Sequence, residues 1–253
     1  MGIELTASQL QQYWEQGYVM VPNLIPQAEI LAVREMLHQI EEGDSDLPPS
    51  HGQFFDGARV TNSKGLRIAG GVQGPARWSP VFEVVADHPN LQSAMSQLLR
   101  GPVERFTDQC GIKTRYITNE QGGCSFFHQD SYYWHIDPEL GCNCWIPTDA
   151  VGKDAIALAV MPGRQRSGSL VPHEQYYDDP PFSAGRSTQF FQRHRIPFDQ
   201  IDFSKEALVP MEAGDGLFFT NYTWHRSEPN RTGRTLCFYA IAYQRADRPR
   251  KSA

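Results

Sequence analysis

Residues 126–130 read Phe-Phe-His-Gln-Asp, an apolar run that ends in a His-x-Asp pair. In an extended segment, side chains two residues apart point to the same side, so His128 and Asp130 can approach one metal ion. His225, in the later Trp224-His225 pair, adds a second histidine. Two histidines and one carboxylate cover one face of an octahedral iron(II) ion and leave the other positions open. Because His225 has to arrive from a distant strand, the pattern predicts a barrel of β-strands.

A second His-x-Asp pair, His135 and Asp137, competes with the first. It precedes the turn former Pro138, whereas His128 follows an apolar pair that is typical of a buried strand. We therefore expect the His135 imidazole to hydrogen-bond Asp137 or a backbone carbonyl, or to line a pocket. Four other histidines have no metal-like surroundings and are predicted to be surface or structural residues: His51, His88, His173 and His194.

The fold class that follows is mainly β with flanking helices, built on a double-stranded β-helix, the jelly roll of cupin-like proteins. Residues 1–102 are predicted to be mostly helical and residues 103–245 to form the β core. No repeat or linker interrupts residues 1–253, so one domain is expected. Residues 164–205 lie between the two halves of the metal site, and their length predicts either a lid or a packed excursion without a role in substrate contact.

Helix caps, prolines and apolar spacing divide the N-terminal part. The predicted elements are a helix from Thr6 or Ser8 to Glu15 that Gly17 ends, a strand at 18–21, a helix at 26–42, a loop at 43–57, a helix after Pro80, and a helix at 91–100 that Gly101 ends.

Composition narrows the classes of partner. With a net charge of −6 and no basic run, the chain is not expected to bind nucleic acid or an anionic membrane, and a small-molecule partner is predicted. Five cysteines without a disulfide-like framework, including the pair Cys142 and Cys144, favour buried thiols in a reducing compartment, the cytoplasm. Monomer and homodimer both remain open.

Five spaced matches give the chain a family resemblance. They are residues 5–22, the His128-Gln129-Asp130 motif, Trp145, the Met-Pro-Gly-Arg stretch at 161–164, and residues 225–234. In this order they resemble the phytanoyl-CoA dioxygenase-like family of iron(II)/2-oxoglutarate-dependent oxygenases. The resemblance implies an iron(II) cofactor, bound by His128, Asp130 and His225. It also implies O2 and 2-oxoglutarate as cosubstrates. It also implies oxidation of a C–H bond in a small polar metabolite, such as one of secondary metabolism, with release of succinate and CO2.

The resemblance also implies an arginine that binds the far carboxylate of 2-oxoglutarate, but the usual position holds Leu236. Arg234 is the first choice, because the apolar run after it predicts a strand that would hold its guanidinium rigidly. Arg231 is the rival, in a predicted turn. Further cosubstrate contacts are assigned to Ser227, Lys113 and Trp145. The Ser-His that the family carries after Pro-Gly is Arg164-Gln165 here, so no role is transferred there.

The aromatic segment after Asp130 is predicted to form the substrate wall. Tyr132, Tyr133, Trp134 and His135 combine ring faces with polar tips, which suits a small polar or cationic molecule. The Trp-His pair at this spacing is partly similar to the ectoine hydroxylase branch of the family. The alternative is that these rings only fill the barrel. No catalytic residue beyond the metal ligands is expected.

The sequence leaves two other functions open. A cupin-like metalloenzyme that does not use 2-oxoglutarate is favoured if neither Arg231 nor Arg234 faces the metal cavity. A catalytically inactive family member that binds a ligand is the second alternative, and the complete ligand set argues against it. Related halogenases have Gly or Ala at the position of Asp130, so the carboxylate predicts hydroxylation, or desaturation or cyclisation, rather than halogenation.

Overall fold

The computed structural model describes residues 2–44, 54–117, 124–134, 136–137, 139–176 and 193–248. Five helices lie in these ranges: α1 (Ala7–Gln16), α2 (Gln27–Glu42), α3 (Pro80–Ala86), α4 (Pro89–Leu99) and α5 (Ser131–Trp134). The strands are β1 (Tyr18–Val21), β2 (Phe54–Thr61), β3 (Arg67–Gln73), β4 (Val103–Lys113), β5 (Ser125–His128), β6 (Gly141–Pro147), β7 (Leu158–Val160), β8 (Glu174–Tyr176), β9 (Arg193–Arg195), β10 (Ala207–Val209), β11 (Gly216–Thr220), β12 (His225–Ser227) and β13 (Leu236–Arg245).

Two antiparallel sheets form the core. The large sheet has the strand order β1-β11-β6-β13-β4-β3-β2, and the small sheet has the order β10-β7-β12-β5. Several neighbouring strands of the large sheet come from distant parts of the chain, as in β6 between β11 and β13. This arrangement confirms the predicted class, a mainly β jelly roll with helices at its side.

The large sheet has two different faces because successive side chains alternate. The outer face, with Ile146 and Tyr239, packs in one apolar cluster with helices α2 and α4. The inner face, with Trp145, Leu217 and Leu236, packs against the small sheet. Cys142 and Cys144 point to the helices, and all five cysteines of the chain are free thiols. The inner face is therefore the surface on which a site between the two sheets can be built.

The N-terminal helix and strand follow the sequence signals closely. Thr6 caps α1 through a reciprocal capping box with Gln9. Gly17 ends the helix in the left-handed conformation, with φ 85°. Strand β1 then pairs with β11 at the edge of the large sheet, so this end of the chain is part of the core.

Helix α2 is tied to the large sheet by a buried carboxylate in its last turn. Glu41 accepts a hydrogen bond from the Thr235 hydroxyl at 2.6 Å and another from the Thr114 hydroxyl. Thr114 follows the last residue of β4, and Thr235 precedes the first residue of β13. One acid thus holds two neighbouring strand ends against the helix.

Two expectations for the N-terminal part were wrong, and two of its strands were not predicted. Residues 54–61 and 67–73 are strands β2 and β3, which extend the large sheet beyond β4; glycines within both runs obscure their strand pattern. Of the predicted loop at 43–57, residues 43–44 follow α2 outside regular structure, 45–53 lie outside the described residues, and 54–57 belong to β2. Arg100 adopts the left-handed conformation that ends α4, with φ 57°, in place of Gly101.

The long segment 164–205 is described only at its two ends. A 3-10 turn (Arg164–Ser167) opens it, strands β8 and β9 pair antiparallel, and 177–192 lie outside the described residues. Ile196 donates its backbone N–H to the Phe127 carbonyl at 2.7 Å and packs with Trp224. Both described ends thus contact the core, and a lid function for the segment stays a prediction.

None of the helices in the described ranges has both the length and the apolar composition that a membrane span needs.

Candidate metal centre

The small sheet brings the three singled-out side chains together. Strand β5 ends at His128, β12 begins at His225, and the two residues are direct antiparallel partners. Asp130 lies just beyond β5, before the single turn of α5. Its Oδ1 atom is 3.6 Å from His128 Nε2 and 3.7 Å from His225 Nε2. The three possible ligand atoms lie within 4.8 Å of one another.

Backbone carbonyls orient both imidazoles. His128 Nδ1 donates to the Phe126 carbonyl at 2.8 Å, and His225 Nδ1 donates to the Thr223 carbonyl at 3.0 Å. In each case the acceptor lies two residues earlier in the chain. With the proton fixed on Nδ1, the Nε2 lone pair is available to a metal ion.

An amide orients the carboxylate. Asn143, on the inner face of β6, donates from Nδ2 to Asp130 Oδ2. This bond leaves Oδ1 facing the two histidines, so Asp130 is arranged to bind through one oxygen. Sequence reasoning did not identify Asn143. The signal that could have revealed it is a polar side chain at an inward position of an apolar strand, between Cys142 and Cys144.

Burial controls the electrostatics of the three groups. It lowers the pKa of His128 to about 4, with a further lowering from His225 beside it. Burial also lowers the pKa of His225 to about 4 and raises the pKa of Asp130 to about 6. The histidines are therefore neutral near pH 7, and a half-buried carboxylate lies beside them. Two neutral imidazole nitrogens and one carboxylate oxygen fit a divalent metal such as iron(II).

The predicted substrate wall divides into two parts. Tyr132 stacks on His173, with ring centroids 4.2 Å apart, and Tyr133 lies 6.1 Å from the His194 ring. Both histidines belong to segment 164–205, and neither was predicted to have a functional role. Trp134 instead turns to β4, where it packs on Phe106 at 6.0 Å.

Exposure separates these side chains further. Tyr133 is exposed, and Tyr132 and Trp134 are half-buried. His135 lies outside the described residues. The aromatic segment is therefore next to the metal centre, but part of it joins segment 164–205 to the core.

The expected position of Arg234 was wrong. Strand β13 begins two residues later, at Leu236, and Arg234 is an exposed residue of the preceding turn. Thr232 and Asn230 side chains hold that turn through the Arg234 N–H and carbonyl. Arg231 is also exposed and pairs with Asp154 at 2.7 Å. Both guanidinium groups therefore belong to the exposed turn that precedes β13.

The other three predicted cosubstrate residues face inward. Ser227 is buried, and its Oγ accepts the Ser125 N–H at 2.8 Å. Trp145 is buried in the inner cluster, 5.2 Å from the Phe238 ring. Lys113 is half-buried and is the strand partner of Leu236. Because strand partners share a face, Lys113 points to the inner side of the large sheet.

A row of side chains crosses the inner face at the level of Asn143. Its strand partners are Phe219 on one side and Ala242 on the other, and Ala242 is in turn the partner of Thr107. The Phe219 ring lies 4.6 Å from His225. Thr107 accepts a hydrogen bond from Gln73 at 3.0 Å. Asn143 Oδ1 is buried without a hydrogen-bond partner among the residues that the structure describes.

Two curated proteins are similar to most of the chain. The chain is 25% identical over 248 residues to a probable phytanoyl-CoA dioxygenase of Caenorhabditis elegans, covering 91% of this chain and 72% of the relative. It is also 25% identical over 242 residues to a methylphosphonate hydroxylase of Gimesia maris, covering 92% of this chain and 78% of the relative.

Solved structures share the fold. The epimerase SnoN, in complex with Fe3+, alpha ketoglutarate and nogalamycin RO, superposes with a TM-score of 0.64 at 17% identity, covering 97% of this chain and 86% of SnoN. The apoform of EctD from S. alaskensis gives a TM-score of 0.67 at 14% identity, covering 98% of this chain and 79% of EctD. At these identities the likeness establishes the fold alone.

The family comparison is more specific. The model of the phytanoyl-CoA dioxygenase (PhyH) family matches residues 13–235, which include all three candidate metal ligands. The resemblance drawn from the sequence is thereby confirmed, and the chain belongs to the phytanoyl-CoA dioxygenase family.

Proposed function

We propose that this protein is an iron(II)- and 2-oxoglutarate-dependent oxygenase that oxidises a C–H bond of a small polar molecule. The observation that carries the proposal is the convergence of His128 Nε2, His225 Nε2 and Asp130 Oδ1 on one point. Family membership supports the same chemistry. Iron(II), when bound to these three atoms, supplies activation of dioxygen, while 2-oxoglutarate is converted to succinate and carbon dioxide.

The protein's own contribution is orientation and exclusion of water. Two backbone carbonyls and Asn143 fix the three ligand side chains before any ligand arrives. Phe219 covers one side of His225. Such fixed, water-poor surroundings favour reaction at the positioned C–H bond over side reactions.

We assign the far carboxylate of 2-oxoglutarate to Lys113, with Ser227 as a second donor. Lys113 is the strand partner of Leu236 and shares its face, so its ammonium group belongs to the region that an arginine at position 236 would serve. Ser227 is on the same face of β12 as His225, because the two are separated by one residue. Arg234 remains a weaker candidate from the turn.

The row of side chains at the level of Asn143 on the inner face favours a polar substrate. Asn143 Nδ2 is committed to Asp130, so its buried Oδ1 is the atom that needs a donor. Leaving a buried carbonyl unpaired costs about 1–3 kcal/mol, which a substrate hydroxyl or amine could recover. Thr107 and Gln73 add uncharged polar groups, and Ala242 beside Asn143 is small.

Succinate release tests the oxygenase proposal directly. Purified protein with iron(II), ascorbate and 2-oxoglutarate is incubated under air with a panel of uncharged and cationic metabolites, and succinate is measured by mass spectrometry. We expect slow release without substrate and at least one compound that stimulates it. His225→Ala should remove both signals. Succinate release that is equal in the two proteins would contradict the proposal.

A metal-dependent reaction without 2-oxoglutarate is the second candidate. The observations in its favour are that Arg231 and Arg234 are exposed in the turn before β13. In addition, Leu236 is buried among Trp145, Leu217 and other apolar groups where the family expects an arginine. Binding of 2-oxoglutarate to the anaerobic iron(II) protein separates the two functions. A visible charge-transfer band that saturates with 2-oxoglutarate supports the oxygenase, and metal binding without any affinity for 2-oxoglutarate supports the second candidate.

A further inference from the structure

Gln129 lies between the two metal ligands His128 and Asp130, and the proposed chemistry gives it no role. Its side chain is completely buried. Neighbours in an extended segment alternate, so Gln129 points away from the ligand atoms of the residues on either side. A buried amide needs hydrogen-bond partners, and the identity of these partners indicates what the residue does.

The amide joins two distant loops. Gln129 Nε2 donates to the Tyr222 carbonyl at 3.0 Å and to the Ser169 carbonyl at 3.3 Å, while Oε1 accepts the Val171 N–H at 2.9 Å. Tyr222 precedes Thr223, whose carbonyl orients the His225 imidazole. The same amide therefore contacts the loop that delivers the third metal ligand.

The backbone of Gln129 is held as well. Its N–H donates to His173 Nε2 at 3.1 Å, and its carbonyl accepts the Tyr132 N–H at 3.0 Å. His173 Nδ1 in turn donates to the Val171 carbonyl at 2.8 Å, and the His173 ring stacks on Tyr132. The described residues thus satisfy every polar group of Gln129.

We infer that Gln129 is a positioning residue that sets the metal affinity of the site by fixing the ligand segments before the metal binds. The inference rests on the proposed metal site. Two neutral imidazoles and a half-buried carboxylate have little reason to converge by themselves, so other bonds must hold them in place. Gln129 supplies such bonds, since it connects the 128–130 segment to the 220–225 loop and to residues 169–173 of the long segment.

Replacing Gln129 by Met tests this role with the metal alone as probe. Methionine keeps the volume and removes the amide bonds. Cobalt(II) affinity is measured by visible absorption and chelator competition on the apo protein, without turnover. Loss of bonds that orient metal ligands typically weakens metal binding by about 10–100-fold, and we expect Gln129→Met to fall in this range.

Gln165→Met is the matched control. Gln165 is also buried, and its amide also bonds backbone carbonyls, of Trp14 and Glu15, but these belong to helix α1. Both variants are expected to lower the melting temperature of the apo protein, whereas only Gln129→Met should weaken cobalt binding and change the intensity of its visible spectrum. Equal cobalt affinity for Gln129→Met and unmodified protein would overturn the inference.

His173→Phe decides the question if Gln129→Met does not fold. Phenylalanine preserves stacking on Tyr132 and removes two groups, the acceptor of the Gln129 N–H and the donor to the Val171 carbonyl. We expect cobalt affinity to fall several-fold, and an unchanged affinity would overturn the inference. Failure of the unmodified protein to bind cobalt would overturn the proposed function itself, and is recognised because it precedes any comparison of variants.

Discussion

The inner surface of the barrel is built differently at the candidate metal centre and at the proposed cosubstrate region. Around His128, Asp130 and His225, every ligand side chain has an orienting partner in the structure. Around Leu236, where 2-oxoglutarate would need a cation, a leucine replaces the family's arginine and apolar groups surround the position. The metal centre follows from a local motif and one strand pairing. The cosubstrate anchor that we propose is a single long side chain, Lys113, on the neighbouring strand β4.

Removing a metal ligand should have the largest effect. His225→Ala is expected to abolish stoichiometric iron(II) or cobalt(II) binding and all succinate release, because two remaining ligands cannot hold the metal face. Metal analysis and circular dichroism check binding and fold. His88→Asn is the control, since asparagine can replace His88 as the cap of α4. Full metal retention in His225→Ala would show that the centre lies elsewhere.

The cosubstrate region is tested by Lys113→Met. Loss of a charge-assisted partner in a confined site costs about 2–3 kcal/mol, or roughly 30–150-fold in affinity for 2-oxoglutarate. Arg234→Met and Arg231→Met should each change the affinity less than about threefold, as expected of exposed charges. Isothermal titration of the anaerobic iron(II) proteins gives the ranking. A larger effect at Arg234 than at Lys113 would show that Arg234, in the turn before β13, binds the far carboxylate of 2-oxoglutarate.

Asn143→Ala probes the partner of the carboxylate. Without the amide, Asp130 is free to rotate, and metal affinity is expected to fall by about 10-fold, at the lower end for such outer partners. Cobalt titration measures the change. Thr107→Val, in the same row on strand β4, should leave cobalt affinity unaltered. An equal loss in both variants would mean that the row acts on the metal only through general packing.

Trp134→Ala should have the smallest effect of these substitutions. It tests whether Trp134 contacts the substrate or only packs in the core. Trp134 is half-buried, so we expect a loss of about 1–2 kcal/mol, below the ~3–5 kcal/mol of a fully buried tryptophan. Substrate-stimulated succinate release should fall while the slow substrate-free release persists. Thermal melting and succinate assays measure the two quantities. Normal stimulation in a strongly destabilised variant would assign Trp134 to the core.

Local patterns explain what the sequence could predict. The period of two in a strand placed His128 and Asp130 on one side, and the capping box and Gly17 fixed helix α1. Arg234 was misplaced because Asn230 and Thr232 side chains extend the turn through residue 234, and such bonds are invisible in an apolar run. Asn143 and Gln129 escaped notice because their partners are distant in sequence, at Asp130 and at Tyr222.

The buried acid of helix α2 has a consequence for genetic screens. Glu41 holds Thr114 and Thr235, which are the chain neighbours of Lys113 and Leu236. Substitutions at position 41 should therefore show epistasis with substitutions at 113 and 236, although the helix lies on the opposite side of the sheet. In a library that varies Leu236, tolerated replacements are expected to differ between the unmodified background and a Glu41→Gln background. Selection on cosubstrate use would then recover second-site changes in α2.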